Sequence, residues 1–202
     1  MKVILQSILI AFVLISIAIS TSSYNSDTDT LIHDFSLRNV DGRIISTKDY
    51  EDAKGFIVIF TCNHCPFAKL YSKRMNELSF KYNPLNVPLI AVNSMDSIVY
   101  KDESFSEMKA KSIKDAFQFP YLQDGSQSVG KEFGAEHTPT AYVIWKEANQ
   151  WRIKYKGAID DNGENPQNAN PFIGNAVDEL LNNKPVTNSE TESFGCRIFY
   201  RD

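Results

Sequence analysis

The chain alternates between continuous apolar runs and amphipathic segments, and this alternation predicts its elements. The runs GFIVIF at 55–60 and VPLIAVNS at 87–94 have no polar face, which is typical of strands covered on both sides. After each run, at 66–82 and 102–117, apolar residues recur near helical spacing, so we expect a helix in each segment. The order strand, helix, strand, helix is that of a βαβ unit.

The pattern also predicts a hairpin on each side of this unit and a closing helix. Asp41-Gly42 separates two apolar segments and predicts an entrance β-hairpin, because glycine tolerates the positive φ of a tight turn. FPYLQD predicts a short strand and SQSVGKEFGA a short helix that ends at Gly134. TPTAYVIW and WRIKYKG predict a second hairpin turning at Asn149-Gln150, and 169–181 predicts an amphipathic helix.

The first twenty residues differ from the rest of the chain. Met1 and Lys2 are followed by the apolar run VILQSILIAFVLISIAI and then by small polar residues. This is the order of a secretory signal peptide, with cleavage expected near Ser20. An uncleaved anchor is the alternative, because the run is at the lower limit of length for crossing a bilayer. Either way, we expect the remainder to lie outside the reducing cytosol, where a cysteine pair can persist as a disulfide.

Composition and charge narrow the possible classes of protein. A length of 202 residues with 43% hydrophobic residues suggests one principal domain with a sizeable core. The formal net charge of −4, without a basic cluster, argues against nucleic acid as a partner and against an anionic membrane surface. We therefore divide the chain into a signal peptide or anchor (1–20), a tether (21–30), one domain (31–183) and a C-terminal extension (184–202).

The candidate chemistry lies in FTCNHCPF, residues 60–67, where Cys62 and Cys65 are two residues apart. Attachment of a c-type haem needs histidine directly after the second cysteine, and Pro66 stands there. Structural zinc normally needs four protein ligands, and the chain has no second Cys-x-x-Cys pair. A purely structural disulfide over so short a loop removes little unfolded-chain entropy. A dithiol that cycles with a disulfide is the interpretation that remains.

The position of the pair favours this interpretation. Cys62 follows a predicted buried strand and precedes a predicted helix, so its sulfur should face unpaired amides that lower a thiol pKa. Cys65 is then placed to attack a mixed disulfide. His64 has two open interpretations, a group that tunes this pKa or a solvent-facing spacer. Pro66 falls in the first helical turn, where its missing N–H does no harm.

These motifs resemble a known superfamily. A strand, then Cys62-x-x-Cys65 at a helix start, then Thr138-Pro139 before another strand is similar to the thioredoxin superfamily over 31–183. The entrance hairpin, the extra strand and helix near 87–117, EFGAEHTPTAYVIW and YKGAIDDN resemble its redoxin branch of AhpC/TSA-type and envelope thiol-disulfide proteins. The resemblance implies a thioredoxin-like α/β fold, a central mixed β-sheet flanked by helices, with an N-terminal β-hairpin and an inserted strand-helix segment.

The resemblance also implies residue roles. Cys62 becomes the exposed nucleophile and Cys65 the resolving thiol, within an active-site loop that includes Asn63, His64 and Pro66. Pro139 becomes a cis-proline beside the disulfide, and the backbone of Thr138 pairs with an extended substrate segment. Relatives often carry a buried acid for proton transfer, but no acidic residue of GFIVIFTC fills that place, so the acid stays unassigned.

The implied function is a thiol-disulfide oxidoreductase without cofactor or metal. Its expected partners are cysteine-containing exported proteins and a redox partner protein, with no nucleic acid and with membrane contact only through an uncleaved leader. The expected location is the bacterial periplasm or cell envelope, with secretion or anchoring as variants. The alternatives are a peroxiredoxin-like thiol peroxidase and a non-catalytic or metal-binding module on the same fold.

The peroxidase alternative is weakened by the spacing of residues before the cysteines. Peroxiredoxins carry the motif Pro-x-x-x-Thr/Ser-x-x-Cys around the peroxidatic cysteine. Counting back from Cys62 gives Ile59 and Gly55. Counting back from Cys65 gives Cys62 and Val58. Neither register supplies the proline and the hydroxyl that orient a peroxide.

Three further features have more than one interpretation. Cys196 is a candidate additional thiol that pairs with Cys62, pairs between chains, or is a small apolar residue behind the final helix, the last being commonest for a free cysteine. The turn AIDDNGEN, 158–165, offers too few alternating oxygen ligands for calcium and predicts a solvated turn near the active site. Phe67, Tyr71 and Trp145 form either an apolar rim or, more commonly for this spacing, part of the core.

Overall fold

The computed structural model describes residues 29–202. The predicted leader and tether residues 21–28 lie outside the described residues. The strands are β1 (Leu31–Ile32), β2 (Ser36–Asn39), β3 (Ile44–Ser46), β4 (Gly55–Phe60), β5 (Leu89–Asn93), β6 (Tyr121–Gln123), β7 (His137–Thr138), β8 (Thr140–Glu147), β9 (Gln150–Gly157) and β10 (Cys196–Arg197). The α-helices are α1 (Pro66–Leu70), α2 (Ser72–Tyr82), α3 (Phe105–Lys114), α4 (Ser128–Phe133) and α5 (Phe172–Leu181). Among these residues, no helix is long and apolar enough to cross a membrane.

Eight of the strands form one mixed sheet. Their order is β1-β9-β8-β4-β5-β6-β2-β3, and β7 pairs separately with β10. β5 runs parallel to both β4 and β6, whereas β8 runs antiparallel to β4 and to β9. β4 is thus the central strand that GFIVIF predicts, and the strand carries the two cysteines at its carboxyl end.

Every residue of β4 is buried, and its side chains divide between two cores. Phe56, Val58 and Phe60 face the cluster that includes both cysteines and α4. Ile57 and Ile59 face the opposite cluster, which α2, α3 and α5 cover. A continuous apolar run is therefore the correct sequence signal for this strand, because neither of its faces meets water.

The elements follow the predicted order, with two local differences. The predicted helix 66–82 is divided into α1 and α2, with Tyr71 between them. The second hairpin turns at Ala148 and Asn149, one residue earlier than expected, and both residues have positive φ, 47° and 63°. Two consecutive positive φ values are those of a type I′ turn, which matches the twist of the paired strands. The Asp41-Gly42 hairpin is confirmed, with Gly42 at φ 93°.

The C-terminal extension runs back along the domain instead of packing behind the final helix. Lys156 N donates to the carbonyl oxygen of Ser189 and Thr191 N donates to that of Lys156, each over 3.0 Å. Further on, β10 pairs antiparallel with β7, so that Cys196 lies opposite Thr138. The interpretation of Cys196 as a small apolar residue behind α5 is therefore wrong, because this segment leads the cysteine to the loop before Pro139.

Candidate active site

Cys62 and Cys65 lie together under the loop that carries Thr138 and Pro139. Cys62 Sγ is 3.0 Å from Thr138 Oγ1, and Cys65 Sγ is 3.2 Å from the carbonyl oxygen of Thr138. The two sulfurs interact with each other. The Thr138-Pro139 peptide bond is cis, the isomer that the family resemblance implies. The structure therefore brings the two predicted motifs into one site.

The expectation of an exposed nucleophile at Cys62 is wrong for this structure. Cys62 and Cys65 are both 0% exposed. Ile198 of the C-terminal segment belongs to the same buried cluster, and Cys196 and Tyr200 pack against it. Cys196 is the only partly exposed cysteine among the described residues. Both sulfurs of the pair are buried because this segment packs on the same side of the sheet.

The charges within the pair also differ from the sequence expectation. The pKa of Cys62 is raised because its thiol hydrogen-bonds to Cys65, and burial and the nearby Glu103 carboxylate act in the same direction. The pKa of Cys65 is lowered because it accepts from Cys62, and because Cys196 and the Ala68 amide also lie beside its sulfur. Burial opposes that fall without cancelling it. The reversal follows mainly from the hydrogen bond between the two sulfurs, which raises the pKa of Cys62 and lowers that of Cys65.

A buried acid does exist, and sequence reasoning missed it. The side chain of Glu103 is 0% exposed and hydrogen-bonds with Nδ1 of His64. Glu103 also accepts from the backbone amides of Asn63 and His64, at distances of 2.9 and 3.0 Å for its shorter bonds. Asn93 Nδ2 donates to the same carboxylate over 2.7 Å. Glu103 therefore fixes the Cys-x-x-Cys loop through both of its intervening residues.

The His64 ring is held on two sides. It contacts Glu103 through Nδ1 and stacks on Tyr100, with ring centroids 5.7 Å apart. Asn63 is held as well, since its Nδ2 donates to the carbonyl oxygen of Asp102 and its Oδ1 accepts from Tyr121. The interpretation of His64 as a solvent-facing spacer is therefore wrong, because its side chain is only 31% exposed and both ring neighbours orient it.

Three groups of this site have the composition of metal ligands. The ligand atoms of Cys62, His64 and Glu103 all lie within 4.8 Å of one another. However, the Glu103 carboxylate already accepts hydrogen bonds from two backbone amides, Asn93 and the His64 ring. A cation would have to displace some of these donors. The geometry thus fits a hydrogen-bonded Glu103–His64 pair beside a thiol better than a preformed metal site.

An apolar groove lies beside Pro139. It has a volume of about 570 Å³, and Pro139, Phe67, Leu70 and Phe194 are among its lining residues. These Phe67, Leu70 and Phe194 side chains are 52%, 44% and 65% exposed. Phe67 therefore belongs to a rim and not to the core.

The turn at 158–165 borders the same groove. Its Asp160 is buried in an ion pair with Arg74, and Arg74 Nη2 donates to the carbonyl oxygen of Gly163 over 2.7 Å. Asn162 N in turn donates to Asp160 Oδ1 over 2.9 Å. These contacts give Asp160 a structural role at the groove, with its carboxylate already paired.

Comparisons with known proteins agree with this architecture. The AhpC/TSA family profile matches residues 29–152. The hypothetical protein SMc02350 from Sinorhizobium meliloti 1021 is 28% identical, with a TM-score of 0.78 over 86% of this chain and 94% of that chain. An uncharacterized conserved protein from Geobacillus kaustophilus is 32% identical, with a TM-score of 0.77 over 88% and 94% of the two chains.

A more distant structure indicates the fold alone. The peroxidoxin BcpB from Mycobacterium tuberculosis is 12% identical, with a TM-score of 0.56 over 77% of this chain and 94% of that chain. A comparison with curated proteins finds no match. The family profile spans more than half of the chain, and the fold is the thioredoxin-like fold of redoxins. The chain belongs to the AhpC/TSA family.

Proposed function

We propose that the protein is a thiol-disulfide oxidoreductase that exchanges disulfides with cysteine-containing exported proteins through Cys62 and Cys65. The observation that carries this proposal is the contact of the two sulfurs beside Thr138, at the end of a rigid, fully buried strand. A pair held this closely can form and break a disulfide without a large rearrangement of the sheet. The predicted leader supports the exported partners, since disulfides persist outside the cytosol.

The exchange conserves electrons and protons. A thiolate of the pair attacks a partner disulfide, the partner S–S bond breaks, and one partner sulfur leaves as a thiolate that takes a proton. The second sulfur of the pair then attacks the mixed disulfide. The Cys62–Cys65 disulfide forms, and the partner leaves with both of its cysteines reduced. The reverse sequence, with a redox partner protein as the dithiol, restores the pair.

Glu103 and His64 supply a proton route for this exchange. Their ligand atoms lie within 4.8 Å of Cys62 Sγ, and the carboxylate is buried. The Cys62 thiol must lose its proton before its sulfur can join a disulfide. The Glu103–His64 pair lies close enough to take part in moving that proton, and the partly exposed imidazole connects the pair to water.

The groove beside Pro139 supports a polypeptide as the partner. Exposed Phe67, Leu70 and Phe194 surround it, and clustered apolar side chains next to an active site are typical of surfaces that bind other proteins. A small thiol would not need such a surface. The groove therefore favours a protein disulfide over a small-molecule disulfide as the substrate.

A peroxidase is the alternative within the same family, and the structure adds an argument against it. Of the four positions that would carry the peroxide-orienting proline and hydroxyl, Gly55, Val58 and Ile59 lie inside β4, and the fourth is Cys62 itself. Val58 and Ile59 are 0% exposed. They point into the two cores, so these positions cannot line a pocket for a peroxide.

The test is a protein-disulfide reduction assay with insulin, using the full chain with dithiothreitol as the reductant. Wild type should accelerate insulin reduction, and Cys62→Ser should lose at least about tenfold of that rate because the Cys62–Cys65 disulfide no longer forms. Normal activity in Cys62→Ser would contradict the proposal. Hydrogen peroxide consumption that exceeds insulin reduction would favour the peroxidase, and stoichiometric zinc bound to the inactive protein would favour the metal-binding module.

A further inference from the structure

The C-terminal segment occupies the strand position next to the active site. β10 pairs with β7 so that Cys196 lies opposite Thr138, and Ile198 N donates to the carbonyl oxygen of Glu136 over 2.7 Å. The resemblance to the thioredoxin superfamily implies that an extended substrate segment pairs with the backbone of Thr138. The chain's own C-terminus therefore presents a cysteine to the pair in the way that a substrate strand would.

The segment is held on both sides of Cys196. Before it, Gly195 approaches Thr138 so closely that a Cβ atom at this position would lie 1.9 Å from the Thr138 carbonyl oxygen. After it, Ile198 is 3% exposed, and Gln127 both donates to the carbonyl oxygen of Phe199 and accepts from Arg201 N, at 3.0 and 2.9 Å. Cys196 is thus part of a docked strand with a fixed position.

Of the three sulfurs, Cys65 is the one that interacts with both of the others. It interacts with Cys62 and with both the side chain and the backbone amide of Cys196. Cys62 has Cys65, Thr138 and Glu103 as its influential neighbours, with Cys196 not among them. Any disulfide that Cys196 forms within this docked chain is therefore directed to Cys65, and the pairing with Cys62 considered from the sequence is disfavoured.

We propose that Cys196 is a third redox cysteine, which exchanges with the Cys62–Cys65 disulfide by forming a Cys65–Cys196 disulfide. The inference rests on the proposed function, because that function supplies the Cys62–Cys65 disulfide. The Cys196 thiolate attacks Cys65 Sγ, the bond between Cys65 and Cys62 breaks, and the bond between Cys65 and Cys196 forms. Cys62 leaves as a thiolate and takes the proton that Cys196 has lost. The step is an isomerisation and needs no further oxidant.

The exposure of the three sulfurs indicates how this exchange would act in the protein. Cys62 and Cys65 are 0% exposed while β10 is docked, whereas Cys196 is partly exposed. An outside thiol or disulfide therefore meets Cys196 first. The Cys65–Cys196 disulfide connects the surface to the buried pair, and electrons pass between partner and pair without undocking of the segment.

The test follows which disulfides form when the full-length protein reacts with oxidised glutathione. In Cys62→Ser, Cys196 should first form a mixed disulfide with glutathione, and Cys65 should then displace the glutathione. Both thiols are then lost, and one disulfide joins Cys65 and Cys196. Cys62→Ser/Cys196→Ser is the matched control and should give only the mixed disulfide or free thiol. Circular dichroism equal to that of wild type establishes that the variants are folded.

Oxidation of the wild-type protein provides a second test if Cys62→Ser does not fold. Its oxidised form should contain a linkage between Cys196 and the 62–65 peptide, and Cys196→Ser should be oxidised at least about tenfold more slowly because its buried pair has no exposed sulfur beside it. The proposal is overturned if folded Cys62→Ser never forms the 65–196 linkage, or if Cys196→Ser is oxidised as fast as wild type. The second result, with the Cys62–Cys65 disulfide still forming, would leave the proposed function intact, whereas a pair that never oxidises would contradict that function.

Discussion

At the scale of residues, the pKa values of three neighbouring thiols depend on one another. The pKa of Cys65 is lowered, because Cys62 and Cys196 both lie beside its sulfur as hydrogen-bonding neighbours. Cys62 and Cys196 are held as thiols, the first by Cys65 and by burial, the second by burial and by Cys65. The reactivity of each cysteine therefore depends on the protonation of its neighbours. Substitution of one cysteine should change the pKa of the cysteines beside it.

The clearest consequence concerns Cys196, whose pKa is raised to about 11 by burial and by Cys65. Its thiolate should be scarce in the reduced protein near pH 8. Alkylation of Cys196 by iodoacetamide should therefore rise steeply only as the pH approaches its pKa of about 11. In Cys65→Ser the neighbouring negative charge is lost, and the pKa of Cys196 should fall while burial keeps it above that of a free thiol. Mass spectrometry of alkylated peptides across pH measures both curves. Alkylation of wild-type Cys196 at pH 8 at the rate of free cysteine would refute this.

Glu103 gives a second prediction at this scale. Glu103→Gln replaces an oxygen acceptor by an NH₂ group that faces donors from Asn63, His64 and Asn93. We expect a loss of about 1–3 kcal/mol in the free energy of unfolding, since buried donors are left without an acceptor. The pKa of Cys62 should also fall, because the carboxylate charge that raises it is gone. Urea denaturation measures the change in the free energy of unfolding. The pH dependence of Cys62 alkylation in the folded protein measures the change in its pKa.

A matched acid on the next helix serves as the control for Glu103. Glu107 lies in α3 with an exposed side chain, so Glu107→Gln should change the free energy of unfolding by no more than about 0.5 kcal/mol. Equal effects of the two substitutions would show that the buried hydrogen bonds of Glu103 contribute nothing beyond surface charge.

Glu103 also shows why part of the site could not be predicted. Asp102 and Glu103 are the first two residues of the predicted helical segment 102–117, and acidic residues are common at a helix start for reasons of helix stability. Nothing in that local pattern distinguishes the buried carboxylate from the exposed one. Of the 3₁₀ turn Lys101–Glu103, only Glu103 is buried. Its contact with Asn63 joins residues 40 positions apart in the chain.

At the scale of elements, the pattern of apolar positions predicts what local burial determines. β4 and β5 are buried on both faces and are readily found as continuous runs. The hairpins are found through Gly42 and the turn at Asn149, with the second displaced by one residue. By contrast, β10 has only two residues, and the strand exists because β7 is beside it. No periodicity marks such a strand, so the sequence offered Cys196 as a candidate thiol without its position.

The docking of β10 gives a prediction about an element. Gly195→Ala places a methyl group 1.9 Å from the Thr138 carbonyl oxygen, so β10 should separate from β7 and expose the cysteines. We expect alkylation of Cys62 and Cys65 to accelerate at least about tenfold and the free energy of unfolding to fall by about 1–3 kcal/mol. Peptide mapping after brief iodoacetamide treatment measures the first effect.

Gly125→Ala is the control for the docking prediction. A Cβ at Gly125 meets nothing within 4 Å, so this substitution should leave alkylation of the pair unchanged. If Gly195→Ala alkylates no faster than Gly125→Ala, the buried state of Cys62 and Cys65 does not depend on the docked segment, and the accessible route to the pair must lie elsewhere.

At the scale of the whole molecule, the sheet, the two cores and the C-terminal segment meet at one place. The end of β4 supplies the cysteines, the turn after β5 supplies Glu103, the loop before β8 supplies Thr138, and the extension supplies Cys196. The sequence resemblance predicts the first and third of these, because motifs carry them. The other two arise from chain reversals that bring distant segments together, and sequence patterns do not specify such reversals.

The most direct measurement for the molecule is a redox titration of the Cys62–Cys65 couple. It uses the Cys196→Ser variant in glutathione buffers, and free thiols are counted at each potential. This variant leaves only the pair, so the Cys62–Cys65 disulfide is observed alone. We predict a single two-electron transition at a potential between roughly −270 and −120 mV, the range of exchange-active dithiols of this fold. Two thiols that remain free at every potential across that range would contradict the claim that Cys62 and Cys65 are a redox-active pair.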